Sequence, residues 1–173
     1  MDRIELDDIG SDAGLFERVM LHETLTPGMD GYVEADSLKA MRLMRQVFAN
    51  RLKNKAYFGG NAVHTALDLL RIGGQFGEFA AYPKLNAEFM KNVTHIMEIA
   101  NNPKHPGFED YRKHVENAKL AATEIAPPAD AIIPNVVCWR TQGSKGPGGY
   151  MRPSASLQHN TFYVLTPGVK HKP

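Results

Sequence analysis

Apolar side chains recur at helical spacing in five stretches of the first 125 residues. In the first stretch, Leu15, Val19 and Glu23 are four residues apart, so they share one face of a helix that ends on a carboxylate. A break at residues 26–28 separates it from a second helix, Leu38 to Leu52. The other three helices are predicted at about residues 61–72, 86–101 and 108–125. The expected caps of the first three helices are Ser11 or Asp12, Asp36 or Ser37, and Asn61.

The pattern changes after the two prolines at 127 and 128. Residues 132–139 are rich in β-branched side chains and predict a strand, with Pro134 limiting its start. A glycine-rich loop at 143–149 precedes a second short strand at 161–165. Five helices followed by a small β element predict one mostly helical α+β domain over residues 1–173. We expect residues 1–10 to be a loose lead-in and residues 167–173 to be a tail.

Composition narrows the class of protein. The 173 residues are 43% hydrophobic, carry a formal net charge of +1 and include one cysteine. A single domain of this kind buries a sizeable core, and its charge gives no sign of nucleic-acid binding. We expect no membrane insertion and no signal peptide, so the chain is predicted to be made in the cytoplasm. The seven histidines show no metal-ligand spacing. His22-Glu23 does not begin a zinc protease motif either, because Thr26 stands where that helix needs its second histidine. No cofactor is expected.

Glu23 is the leading candidate for chemistry. If Leu15 and Val19 face a core, the Glu23 carboxyl lies at its inner edge, where burial raises the pKa and suits a general acid. A glycosidase often needs a second carboxylate across its groove, at roughly 5–9.5 Å. The available acids are Asp30, Glu34, Asp36 and Glu78. Two other hypotheses stay open: a cysteine peptidase or amidase that uses Cys138 and His159, and a non-catalytic interaction module.

Three stretches, taken together, resemble the spore-cortex-lytic type of cell-wall hydrolase, which belongs to the lysozyme-like enzymes. Residues 20–23, Met-Leu-His-Glu, look like the helix that ends in that family's catalytic glutamate. Residues 40–52 close on Asn50-Arg51-Leu52, similar to the family's second helix. The third resemblance has two parts: Gly74-Gln75-Phe76 is similar to the family's groove loop, and the stretch from Gln158 to Tyr163 is similar to its closing strand. The order and approximate spacing agree across nearly the whole chain.

The resemblance implies a lysozyme-like fold and cleavage of the β-1,4 glycan strand of peptidoglycan, with Glu23 protonating the leaving oxygen. Because the stretch after Glu23 is longer than in the family, Glu34 is the alternative acid. The residues expected to contact substrate are Gln75, Phe76, Glu78, His159 and Tyr163. A wall hydrolase without a signal peptide fits delivery by a phage or by a type VI secretion system. We then expect action at the wall of a target cell and a cognate immunity protein.

Overall fold

The computed structural model describes residues 2–72 and 76–166, apart from the side chain of Glu78. Within them, five α-helices precede three strands, as expected for a mostly helical α+β protein, and this fold class is confirmed. The helices are α1 (Asp12–Glu23), α2 (Glu34–Lys53), α3 (Ala66–Arg71), α4 (Ala87–Ala100) and α5 (Phe108–Thr123). The strands are β1 (Val136–Thr141), β2 (Met151–Leu157) and β3 (Asn160–Leu165). No helix in this part of the chain combines the length and apolar character needed to cross a membrane.

The observed helix caps agree with the sequence prediction for α1 but not for α2 and α3. Ser11 caps α1 as predicted, its hydroxyl accepting from the Gly14 N–H at 3.0 Å. The predicted cap at Asn61 is wrong, because residues 60–62 form a 3-10 turn and Thr65 caps α3 through a reciprocal bond with Asp68. The predicted start of α2 is also wrong. Its first turn, Glu34 to Ser37, precedes Leu38, and acidic side chains there favour the helix N-terminus.

Helix α2 is the centre of the packing. It lies against α5 on one side and against β1 on the other, while α5 also packs on α1 and α4. Its buried apolar face is Ala40, Met41, Leu43, Met44, Val47 and Phe48. Each of the larger side chains contributes about 1.5–3 kcal/mol by leaving water. The helical period of the sequence therefore predicts the buried face of α2 correctly, although Leu38 and Leu52 of the same helix are only partly buried.

The sheet is antiparallel, with β3 between β1 and β2. Strand β1 starts at Val136, after Pro134, so the predicted limit on its start is confirmed, although it begins later than residue 132. Strand β2 was not predicted. It is an edge strand with mostly exposed side chains, and its register shifts between Pro153 and Ala155, which is where a proline is tolerated. The pattern of a core strand is therefore missing from this segment.

The N-terminal segment is held in place, contrary to the expectation of a loose lead-in. Ile4 and Asn101 exchange two hydrogen bonds, of 2.8 and 3.0 Å. The Asp7 N–H donates to the Glu17 carboxylate at 2.7 Å, and Lys119 Nζ bridges Asp7 and Glu17 at 2.6 and 3.1 Å. Because Glu17 is fully buried, its charge requires such partners. The N-terminal segment supplies one of these partners, the Asp7 N–H.

Candidate active site

Glu23 is the last residue of α1, and the backbone turns away immediately after it. Thr24 is extended, and both its N–H and its hydroxyl donate to the Met20 carbonyl, at 3.1 and 2.8 Å. Leu15 and Val19 are buried in the core, as their spacing predicts. Glu23 itself is half-buried one turn further along the same face. The helix therefore delivers the carboxyl group to the edge of the core.

Two side chains of the sheet hold Glu23. The indole Nε1–H of Trp139 in β1 donates to Glu23 Oε2 at 2.9 Å. The Asn160 side-chain amide at the start of β3 donates to the Glu23 carbonyl oxygen at 2.8 Å. The antiparallel register pairs Trp139 with Phe162 and Thr141 with Asn160, which brings both contacts to the same end of the sheet. The carboxyl and the backbone of Glu23 are thus positioned by different strands.

Two cavities meet at Glu23. The larger, about 500 Å³, and the smaller, about 180 Å³, both have Glu23 and Thr141 in their walls. The other described residues that line the larger cavity are Leu21, His22, Thr24, Leu25, Thr26, Met29, Asn92, His95, Ile96, His159 and Asn160. Those described in the wall of the smaller cavity are Arg51, Phe76, Gly77, Phe79, Trp139 and Arg140. An extended ligand that spans both cavities would pass the Glu23 carboxyl.

The smaller cavity is aromatic. Phe76 stacks on Phe48 with ring centroids 5.0 Å apart and planes at 9°, and the Trp139 ring lies 5.7 Å from Phe76. The Arg51 guanidinium lies over the rings of Phe58 and Phe76 at 4.7 and 4.8 Å. Burial lowers the pKa of Arg51, and its Nε donates to the Val137 carbonyl. The rings of Phe48, Phe58, Phe76 and Phe79 are buried, and the half-buried Trp139 is the aromatic side chain that presents surface to this cavity.

The larger cavity has a polar wall. His22 packs on Phe89 and Phe79 with centroid distances of 4.6 and 5.8 Å, so its ring is wedged in place. His159 is at the tip of the β2–β3 hairpin, where it and Gln158 have φ of 58° and 50°. Two residues with positive φ are typical of the tight turn that joins twisted strands. This turn carries His159 to the cavity wall.

The structure brings together only some of the predicted site residues. Phe76 and His159 line the cavities with Glu23, whereas Glu34 and Tyr163 are not among their described lining residues. Glu34 is exposed at the start of α2, with Asn117 Nδ2 at 3.5 Å from its carboxylate. The Tyr163 ring is buried beside Gly146. Gln75 and the side chain of Glu78 lie outside the described part of the structure, although the flanking Gly77 and Phe79 line the smaller cavity.

Cys138 and His159 do not form a nucleophile–base pair. Cys138 pairs with Tyr163 across the sheet, whereas the His159 turn adjoins the pair of Thr141 and Asn160, three residues further along. Three residues of strand span about 10 Å. Cys138 is also buried, and burial raises the pKa of its thiol against the opposing effect of Arg51 and Arg140. A neutral buried thiol is a poor nucleophile.

Sequence reasoning missed several residues of the site. Trp139 and Thr141 are two apart in a strand, a spacing that places them on one face, but nothing local says which face meets Glu23. Asn92 and His95 are exposed positions of α4 that become the far wall of the larger cavity. Within residues 2–72 and 76–166, no group of three or more histidine, cysteine, aspartate or glutamate side chains could hold a metal ion.

Comparisons with family models, with curated proteins and with solved structures found no match to this chain.

Proposed function

We propose that the protein is a peptidoglycan glycoside hydrolase that cleaves the β-1,4 glycan strand, with Glu23 as the general acid. The observation that carries the proposal is the position of the Glu23 carboxyl, which lies where two cavities meet. A polymer that occupies both cavities would place an internal bond at Glu23, as an enzyme that cuts a chain requires. The adjacent, half-buried Trp139 ring offers a surface for a sugar ring.

The resemblance noted in the sequence adds support. Its first stretch ends at Glu23 and its last begins at Gln158, and the Asn160–Glu23 hydrogen bond joins the two across 137 positions of the chain. Residues of the second and third stretches, Arg51 and Phe76, lie together in the smaller cavity. Motifs that are far apart in the chain and share one site are more informative than the same motifs scattered over a surface.

In the proposed reaction, protonated Glu23 gives its proton to the glycosidic oxygen as the C–O bond breaks. The electron pair of that bond stays on the leaving oxygen, and the anomeric carbon takes a new oxygen, whose proton passes to the Glu23 carboxylate or to solvent water. Water as the nucleophile gives a reducing end, as from a muramidase, and an internal hydroxyl of the sugar gives an anhydro end, as from a lytic transglycosylase. The proposal includes action at the wall of a target cell and a cognate immunity protein that covers the groove.

The test is mass analysis of the soluble products released from purified sacculi. We expect disaccharide-peptides from the wild type and from Glu34→Gln, which removes an exposed carboxylate outside both cavities. Glu23→Gln should lose about 10²- to 10⁴-fold in rate, the usual contribution of a general acid. Urea unfolding of each variant shows whether it is folded.

Three results would contradict the proposal. Glu23→Gln could retain the wild-type rate, which would remove its role as acid. Free peptides without glycan cleavage would indicate an amidase or peptidase instead, and loss of that activity on thiol alkylation would assign it to Cys138. No product from wild type, combined with tight binding to a partner protein, would favour a non-catalytic interaction module.

A further inference from the structure

We propose that Trp139 is the positioning residue of Glu23 and that it assigns the transferable proton to Glu23 Oε1. This inference deepens the proposed function and rests on it for its kinetic consequences, but the hydrogen bond itself is testable without any substrate. The contact is the 2.9 Å bond from the indole Nε1–H to Glu23 Oε2.

The chemistry of the indole group favours one of the two Glu23 oxygens as the site of the proton. An indole N–H is a donor and never an acceptor. The Glu23 oxygen that faces it must therefore offer a lone pair, both when the carboxyl group is ionised and when it is neutral. In the neutral acid, the carbonyl oxygen is a better acceptor than the hydroxyl oxygen, so this contact favours the form with the hydroxyl proton on Oε1 and Oε2 as the carbonyl oxygen. A general acid with one assigned oxygen delivers its proton from one direction, which a precise attack geometry requires.

The donor is held in place because the indole ring packs against two phenylalanine rings. The Trp139 ring centroid lies 5.7 Å from that of Phe76 and 6.1 Å from that of Phe48, and these two phenylalanine rings are themselves stacked. Phe48 belongs to the buried face of α2. The direction of the N–H is therefore set by the core and not by a mobile loop. Side chains locked by packing in this way make precise sites.

Asn160 holds the backbone of the same residue. Its amide donates to the Glu23 carbonyl at 2.8 Å and to the Gln158 carbonyl at 3.3 Å, so both partners are acceptors. The last carbonyls of a helix lack partners within the helix, and this bond satisfies one of them. Asn160 thus fixes the end of α1, while Trp139 fixes the orientation of the carboxyl group. Their effects on catalysis should be separable.

The first test is an NMR titration of the indole N–H. Trp139 is the one tryptophan in the sequence, so the indole resonance needs no further assignment. We expect this resonance to move as Glu23 ionises, because the strength of the bond depends on the charge of its acceptor. Glu23→Gln should abolish that step, and the matched variant Glu34→Gln should keep it. An indole resonance that does not titrate in the acid range, or that titrates equally in Glu23→Gln, would overturn the proposal whether or not the protein cleaves glycan.

The second test compares pH–rate profiles. Trp139→Phe keeps an aromatic ring but removes the donor, so we expect kcat to fall about tenfold, the scale of one hydrogen bond to a charged group. The alkaline limb should move to higher pH, because the lost bond favoured the ionised form of the acid. Asn160→Ala should lower kcat without moving the limb, since it contacts the backbone. Thr161→Val, which alters an exposed hydroxyl of β3 next to Asn160, should behave as wild type.

The outcomes separate this inference from the proposed function. If Glu23→Gln is inactive on glycan and Trp139→Phe retains both kcat and the position of the alkaline limb, Glu23 stays the proposed acid and the role of Trp139 is refuted. His95→Gln serves as a comparison variant, because it alters the wall of the larger cavity on α4, whereas the Trp139 ring packs on Phe76 and Phe48. It should raise KM and leave the limb in place. A limb that moves equally in His95→Gln would make Trp139 a structural residue only.

Discussion

His114 lies on α5 with its ring fully buried, and its protonation should destabilise the fold. Its Nδ1 is 3.4 Å from the Ser37 hydroxyl, and its Nε2 is buried with no hydrogen-bond partner in the described part of the chain. The Tyr32 ring meets it edge to face at 5.7 Å. These surroundings give an imidazolium little compensation for its lost hydration. Burial accordingly lowers the pKa of His114 from 6.5 to about 4.

The sign and size of the effect follow from linkage. Between pH 6.5 and about 4 the unfolded chain holds a proton on His114 that the folded chain does not, so the free energy of unfolding falls as pH is lowered. The contribution is fully present above pH 6.5 and is lost towards pH 4. At 1.36 kcal/mol per pKa unit, the free energy of unfolding falls by about 3 kcal/mol over the whole range from pH 6.5 to about 4. Between pH 7 and pH 5 the loss is about 2 kcal/mol.

Urea unfolding at pH 7, 6 and 5 measures this contribution. Other groups also titrate, so the decisive quantity is the pH-dependent loss in the wild type minus that in His114→Gln, which cannot be protonated. We expect His114→Gln to lose about 2 kcal/mol less between pH 7 and pH 5, whatever its stability at pH 7. His64→Gln, at an exposed position, is the matched control for the removal of a histidine. Equal pH dependence in His114→Gln and wild type would refute the argument that the buried imidazole is kept neutral.

Two further predictions concern the N-terminal segment and the thiol. A Cβ at Gly14 would clash with the Asp8 carbonyl oxygen, so Gly14→Ala should lower the free energy of unfolding, by about 1–3 kcal/mol, as the segment is displaced. Gly149→Ala meets open space and is the control, and equal urea midpoints for the two variants would contradict the packing argument. Burial raises the pKa of Cys138, so iodoacetamide should alkylate the native protein at least about tenfold more slowly than the urea-unfolded chain. Equal alkylation rates would show that the thiol is accessible.

Helical periodicity carried most of the information that the sequence held about the fold. Leu15, Val19 and the apolar face of α2 repeat at the period of a helix, so their burial could be read from spacing alone. The same spacing placed Glu23 at the edge of the core. The cap of α1 at Ser11 could also be predicted from the sequence. Strand β2 could not be predicted, because its side chains are mostly exposed and it is held by hydrogen bonds to β3, so its sequence lacks the pattern of a core strand.

The surroundings of Glu23 were decided by tertiary structure. Trp139 and Asn160, which hold the carboxyl group and the backbone of Glu23, lie 116 and 137 positions away in the chain. Sequence spacing within a segment determines which side chains share a face, and it says nothing about which distant face they meet. That choice depends on the packing of α2 between α5 and β1 and on the register of β1 with β3. A candidate acid could therefore be named from the sequence, but the side chains that orient it could not.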